Sequence, residues 1–446
     1  MTPQTLPRNL GDGLILRRAT PADADALADF NSRVHSDEGF ENPNRFIGAW
    51  TRDLLTKAHP TVQPADFTIV EDTATGKIVS SMNLISQTWT YAGIPFGVGR
   101  PELVGTLPEY RKRGLVRAQF DAAHAWSAAR GELAQAITGI PYYYRQFGYE
   151  MTVNLGGGRS GALGRVPALP EGEQEPFGVR PATVQDLPFI AQTYDDFNRR
   201  YLLACARDEA LWQWELDGHS PESINGRALA IITNLEGAPV GFLAYARQLW
   251  GGSIALTFCA LNPGLSWFAP LHSILRFLRR AADEVAQSTG ESGRGSFFLA
   301  LGEVHPLYEA LHGELTELQP PYRWYMRVPD LPAFLLHIRP VLEARLANSI
   351  VAGFDGALRM TFYRSGLRMV FERGKLTGVE PWQPEPMGHS GDAAFPDQTF
   401  LHLLFGQHSR DALRAFLPDT WANGALYRAL LNALFPPQSS NLFPVS

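Results

Sequence analysis

Apolar and polar residues alternate along some stretches of the chain and recur at helical spacing along others, and the two periods divide it into elements. Residues 356–380, GALRMTFYRSGLRMVFERGKLTGVE, carry the period of two expected of antiparallel strands, with glycines at the turns. Residues 66–86, DFTIVEDTATGKIVSSMNLIS, predict a hairpin turning at Thr75-Gly76. Strands are predicted over 100–106 (RPELVGT) and 133–139 (LAQAITG), on either side of a helix over 114–130 with Leu115, Ala118, Ala122 and Ala125 near one face. Beyond a boundary near RVPDLPAF (327–334), the segments LLHIRPVLEARLANS, DQTFLHLLFGQ, SRDALRAFL and NGALYRALLNALF read as helices around the 356–380 strands, giving a C-terminal α+β unit.

Two openings resemble each other. LRRATPADADALADFNSR (16–33) and VRPATVQDLPFIAQTYDDFNRR (179–200) both run strand, Ala-Thr, Asp, amphipathic helix, Phe-Asn. Thr20 before Pro21 reads as a helix cap with proline at the first helical position, and the recurrence suggests a duplicated domain. Between the copies lies GGGRSGALGRVPALPEGEQEP (156–176), which contains a formal G-x-G-x-x-G. Its prolines forbid the helix that a dinucleotide fingerprint needs, so it is expected to be a linker or surface loop.

Composition narrows the possible functions. At 446 residues the chain is too long for one core, and 45% hydrophobic with 19% charged residues is usual for a soluble globular protein. A net charge of −6 argues against a general nucleic-acid binder but leaves room for one basic pocket. Two cysteines, Cys205 and Cys259, make no disulfide framework. No leader-like apolar segment follows the N-terminus and no run of about 18 apolar residues occurs, so no membrane span is expected and the cytoplasm is the expected location. The eleven histidines are scattered without C-x-x-C or H-E-x-x-H, so no metal is expected, and His402 and His408 are read as helix-surface residues.

The chemistry concentrates in VGTLPEYRKRGLVRAQF (104–120), where a strand feeds a helix through a cationic turn. Free N–H groups at a helix start, a permissive Gly114 and the guanidinium forks of Arg111 and Arg113 suit a pyrophosphate. No P-loop is present. Arg111-x-x-Gly114-x-Val116, after V-x-T-x-P-x-Y, resembles the acyl-CoA signature of the GNAT superfamily of N-acetyltransferases, with valine in place of the usual small residue. PYYYRQFGYE (141–150) resembles that family's closing motif, with Tyr144, Gly148 and Tyr149 in place and the basic residue, Arg145, one position early. A tyrosine with a pKa of about 10 stays protonated and can protonate a leaving thiolate, a role assigned to Tyr144; Tyr142 and Tyr143 are read as aromatic packing.

With the duplicated opening and the C-terminal α+β unit, the chain resembles the Eis-like (enhanced intracellular survival) acetyltransferases. That resemblance implies a mixed α+β and α/β protein with two tandem GNAT folds, 1–165 and 175–328, and a sterol-carrier-protein-like domain, 329–446. The second fold would lack a CoA site, because Ser266, Phe268 and Ala269 replace Arg111, Arg113 and Gly114. Acetyl-CoA would lie along Leu103, Val104, Gly105 and Thr106, with its phosphates on Arg111, Lys112, Arg113, Gly114, Leu115 and Val116. A primary amine, an aminoglycoside or polyamine among the possible acceptors, would attack directly in a ternary complex, with Val104 N–H polarising the carbonyl. The resemblance offers the terminal carboxylate of Ser446 as base, with Glu102 as competitor, while the tail could equally be a disordered end. Asp37 and Glu38 would attract a cationic amine or belong to a solvated loop. A homo-oligomer, with a hexamer among its forms, is implied, and no nucleic-acid or membrane partner. The rival reading is a non-catalytic acyl-CoA sensor or lipid-binding protein that uses the C-terminal domain.

Overall fold

The computed structural model describes residues 6–385 and 390–445. In the first unit, strands β1 (Arg8–Gly11), β2 (Leu14–Arg18), β3 (Phe67–Asp72), β4 (Lys77–Tyr91), β5 (Ile94–Thr106), β6 (Ala134–Ile137) and β7 (Glu150–Leu155) accompany helices α1 (Ala24–Val34), α2 (Arg45–Thr56) and α3 (Leu115–Ala129). The second contains β8 (Gly158–Ala162), β9 (Gly178–Pro181), α4 (Leu187–Asn198), β10 (Leu203–Cys205), α5 (Glu209–Gln213), β11 (Arg227–Thr233), β12 (Pro239–Ala246), β13 (Ser253–Leu261), α6 (Leu271–Thr289), β14 (Ser296–Leu299), α7 (Pro306–Ala310), β15 (Leu315–Gln319) and β16 (Tyr322–Arg327). The third packs α8 (Leu331–His337) and α9 (Arg339–Ala347) against a sheet of β17 (Gly356–Thr361), β18 (Gly366–Glu372), β19 (Lys375–Trp382), β20 (Ala393–Ala394) and β21 (Trp421–Ala422). The helix predicted over 335–349 is therefore broken in two, with Pro340 in the first turn of α9.

The first two sheets exchange strands. The first runs β1-β2-β3-β4-β5-β6-β16-β7, with β10 against the far end of β4, and the second runs β15-β8-β14-β13-β12-β11-β9. Strand β8 thus crosses into the second sheet and β16 returns to the first, so neither sheet is continuous in sequence. The stretch expected to be a linker is a strand at 158–162. Its glycine serves close packing, since a Cβ on Gly161 would lie 2.3 Å from Phe297 Cζ.

One apolar cluster joins the first sheet to the third unit: Phe334 stacks edge-on against Tyr91 and Phe96, at 6.0 and 5.2 Å. His402, expected on a helix surface, instead faces Glu150 of β7 at 3.7 Å within this contact. The chain after the last helix, α10 (Phe400–Leu404), α11 (Arg410–Phe416) and α12 (Gly424–Leu434) preceding it, runs back between the first two units. Ser439 O accepts from Leu202 N–H at 2.8 Å and Asn441 N–H donates to Leu203 O at 2.9 Å.

Candidate active site

Strands β5 and β6 are parallel neighbours, yet they pair at just two positions, Val98 with Ala134 and Gly99 with Gln135. Beyond these the strands diverge, and a cavity of about 980 Å³ opens between residues 100–106 and 137–140. A bulge against β4 bends β5 at this point: Ser81 opposes Gly105 and Asn83 opposes Glu102, with Leu103 in the left-handed region at φ 52°. Simple alternation puts Glu102 and Val104 on one face; because of the bulge, the consecutive residues Glu102, Leu103, Val104, Gly105 and Thr106 all border the cavity.

The cationic turn closes one end. Lys112 (φ 64°) and Gly114 (φ 74°) both adopt left-handed backbone, which folds the chain sharply into the start of α3. The first-turn N–H groups of this 15-residue helix have no preceding carbonyl to pair with. Helix α3 is pinned beneath: Gln119 accepts from Ser80 Oγ at 2.7 Å and donates to Thr68 O at 3.2 Å. Arg111, Lys112, Gly114, Leu115 and Val116 line the cavity, the first three exposed, and neither Arg111 nor Lys112 has an ion pair among the described residues. Arg113 is placed differently from Arg111. Its guanidinium stacks over Tyr110, 5.1 Å from the ring centroid, and it does not line the cavity among the described residues.

Tyr144 stands on another wall, in a short turn (Tyr143–Phe147) whose entry and exit, Tyr142 and Gly148, are both left-handed. Its ring is buried among Phe120, Tyr143, Tyr149 and Tyr325. Burial, reinforced by the nearby charge of Glu102, pushes its phenol well above the ordinary tyrosine value, so it is a proton donor at any physiological pH. Two tyrosines of β16 secure the loop before it: Tyr322 donates to Gly139 O at 2.9 Å and Tyr325 to Ile140 O at 3.0 Å.

Glu102 lines the cavity and is held by Arg100, whose Nη2 lies 2.7 Å from Oε1. Arg100 also donates to Val445 O at 3.1 Å, as does Gln87 at 2.6 Å. Ser446 lies outside the described residues; Val445, its neighbour, is buried beside the cavity-lining Arg100. The tail is anchored in the second unit. Arg207 donates to Phe443 O at 2.5 Å, and the Arg207 and Arg227 guanidiniums lie 4.2 and 4.4 Å from the Phe443 ring centroid. Between these arginines sits the buried Glu215, at 2.9 Å from Arg207 and 3.2 Å from Arg227. Burial alone would raise the Glu215 carboxyl, but the two guanidiniums hold it down at about 2.

Asp37 and Glu38 are exposed in the loop after α1 and do not line the cavity. Sequence reasoning missed the β16 tyrosines that brace the Tyr144 loop, and Arg100, Trp50 of α2, and Ile224 with Asn225, which the second unit lends to the cavity wall. Ile224 is seated by its N–H donating to Phe46 O at 3.2 Å. No local signal marks any of these, because strand exchange and the seam between units bring them in. Among the described residues no group of three or more His, Cys, Asp or Glu is placed to hold a metal ion, and no helix is long and apolar enough to cross a membrane.

Residues 16–152 match the family described as acetyltransferase (GNAT) domain. No curated protein sequence matches the chain. Among solved structures, a GCN5-related N-acetyltransferase from Kribbella flavida superposes with a TM-score of 0.62 at 16% identity, covering 96% of this chain and 97% of that one. A probable N-acyltransferase of unknown function from Enterococcus faecalis gives 0.61 at 14%, covering 97% and 100%. Eis1 from Mycobacterium abscessus gives 0.57 at 14%, covering 97% and 99%. At these identities the likeness is one of fold, and it extends through the third unit.

Proposed function

We propose, on the premise that the GNAT domain at residues 16–152 makes this protein an acyltransferase, that it transfers an acetyl group from acetyl-CoA to a primary amine by direct attack in a ternary complex. The observation that carries this reading is a single cavity holding both a cationic left-handed turn at a helix start and a buried, protonated Tyr144. The gap between β5 and β6 suits an extended pantetheine arm lying against the backbone of 104–106. Arg111 and Lys112, with the N–H groups that begin α3, suit its phosphates. Holding thioester and amine together supplies much of the acceleration. The amine nitrogen forms the new bond to the acetyl carbon as the carbon–sulfur bond breaks. Val104 N–H polarises the carbonyl, and Tyr144 gives its proton to the departing sulfur.

The amine must first lose a proton, and Glu102, on the cavity wall, is one acceptor for it; the carboxylate expected at Ser446 is the other. The third unit is read as sterol-carrier-protein-like, the second as a GNAT fold without a CoA site, and the assembly as a homo-oligomer, with a hexamer as one expected form, working in the cytoplasm. Aminoglycosides and polyamines are the acceptors that the sequence resemblance implies.

The test is thiol release from acetyl-CoA over a panel of primary amines. Tyr144→Phe should lower kcat by about 100-fold or more while leaving acetyl-CoA affinity unchanged. Unchanged turnover would remove Tyr144 from the reaction. Acetyl-CoA binding without transfer to any amine would favour the sensor reading.

A further inference from the structure

We infer that the acceptor is a monoamine carried on an apolar body of roughly aromatic size, and that polycations are poor substrates. This rests on the acyltransferase reading above. One side of the cavity is walled by Val34, Ile47 and Trp50 from the first two helices, by Leu103 of the bulge, and by Ile224 from the second unit. These side chains belong to one hydrophobic cluster, with Ile47 and Trp50 buried. The wall is preformed, because the loop carrying Ile224 is tied to α2 at several points. Besides the Ile224 bond to Phe46, Ser220 N–H donates to Asp53 at 2.7 Å and Lys57 donates to Gly218 O at 2.9 Å.

The charges of the lining point the same way. Among the described residues the cavity is lined by four cations, Arg100, Arg111, Lys112 and Arg117, against one carboxylate, Glu102. Arg111 and Lys112 lie at the turn where the phosphates of acetyl-CoA would take up their charge, so the groups beside the apolar wall are Arg100, Glu102 and His35, whose imidazole burial pushes below its ordinary value. Glu102 is already engaged by Arg100. A molecule with several ammonium groups would have to leave water for an apolar wall beside which, among the described residues, Glu102 is the one carboxylate and is already paired. A monoamine presents one charge, which it gives up before attack, and its apolar body displaces water from Trp50 and Ile224. Asp37 and Glu38, which would have drawn a polycation, lie outside the lining.

The experiment compares 2-phenylethylamine with spermidine and kanamycin on the full-length protein. Binding in the presence of CoA is measured by calorimetry, and kcat/KM with acetyl-CoA by thiol release. At least tenfold tighter binding and tenfold higher kcat/KM are expected for 2-phenylethylamine. Ile224→Glu should erase at least tenfold of that preference, and Ile224→Val, which keeps the wall apolar, should retain it. Equal or stronger binding of spermidine or kanamycin to the wild type would overturn the inference, as would a preference unchanged in a folded Ile224→Glu protein. Preferential transfer to the polycations would overturn the inference and leave the acyltransferase reading standing. Binding of 2-phenylethylamine as expected, without acetyl transfer to any amine, would uphold the ligand class and contradict the catalytic reading.

Discussion

The first two units open in the same way and then diverge where chemistry would begin. In the first, Asp23 accepts from Thr20 N–H at 2.7 Å and from Arg17 Nη2 at 2.7 Å; in the second, Asp186 accepts from Thr183 N–H at 2.8 Å and from Arg180 Nη2 at 2.7 Å. Each threonine, aspartate and arginine set closes a capping box and ties helix to sheet. The difference lies after the strand that precedes the parallel crossover. The first unit has Arg111, Lys112 and Gly114 there and an open gap between β5 and β6. The second has Ser266, Phe268 and Pro270 before α6. Its parallel strands stay paired over four positions, Ser253–Leu256 with Ser296–Leu299. Past that point His305, bonded to Cys259 O at 3.1 Å, and Tyr308 are buried in its core. The shared opening is thus held by local capping physics, whereas a ligand site depends on a few loop residues and on leaving a gap unfilled. The second unit instead lends a wall residue, Ile224, and the anchor for the C-terminal tail.

The sharpest way to break this comparison is to remove the cations of the first unit. Each lost charge-assisted bond to a phosphate is worth about 1.5–3 kcal/mol, so Arg111→Ala with Lys112→Ala should weaken acetyl-CoA by roughly 100-fold or more. Arg113→Ala, with its guanidinium on Tyr110, should weaken it far less, and a steady-state KM for acetyl-CoA separates the two. The tail comes next. Phe443→Ala empties a buried ring site between two guanidiniums and should cost about 3–5 kcal/mol, read by denaturant melts. A cost near zero would mean that the second unit does not anchor the tail.

Acid should loosen the same seam. His59 and His219, whose burial lowers both to about 4, stay neutral in the fold while the unfolded chain takes up protons below about 6.5. Their contribution is therefore present above pH 6.5 and lost as pH falls toward 4, on the order of 3 kcal/mol for one such imidazole. Glu215, held at about 2, adds a loss between its ordinary range and that value. Melting from pH 7 to 3 should show the decline, and His219→Asn should flatten its upper part. The smallest effect sharpens the likeness: Thr20→Ala and Thr183→Ala should each cost about 1 kcal/mol. Clearly unequal costs would show that the two caps are alike in appearance alone.

Features set by local chemistry were legible in the sequence. The recurring strand–cap–helix opening, the turn at Thr75-Gly76, the helix predicted over 114–130 and found at Leu115–Ala129, and the cationic stretch 111–116 all follow from neighbours in the chain. Tyr144 was legible through its motif, and the structure places it on the cavity that Arg111 and Val104 also line. What the sequence concealed depends on contacts between distant segments. Alternation could not announce the Leu103 bulge, which re-aims β5. The glycines of 156–161 mark close packing on Phe297 in the neighbouring sheet, where local reading saw a loop. Tyr322 and Tyr325 steady the Tyr144 loop from a strand more than 170 residues further along, and Val445 meets Arg100 at a separation of 345 residues. His402 looked like a surface residue because its partner, Glu150, lies in another unit.

The central claim is that acetyl-CoA binds in the first unit alone, at the gap between β5 and β6. A calorimetric titration of the wild type with acetyl-CoA, repeated on the Arg111→Ala, Lys112→Ala double variant, tests it most directly. One molecule bound per chain, with that binding lost in the double variant, is the result expected. Two per chain, or one that persists undiminished without the two cations, would contradict it.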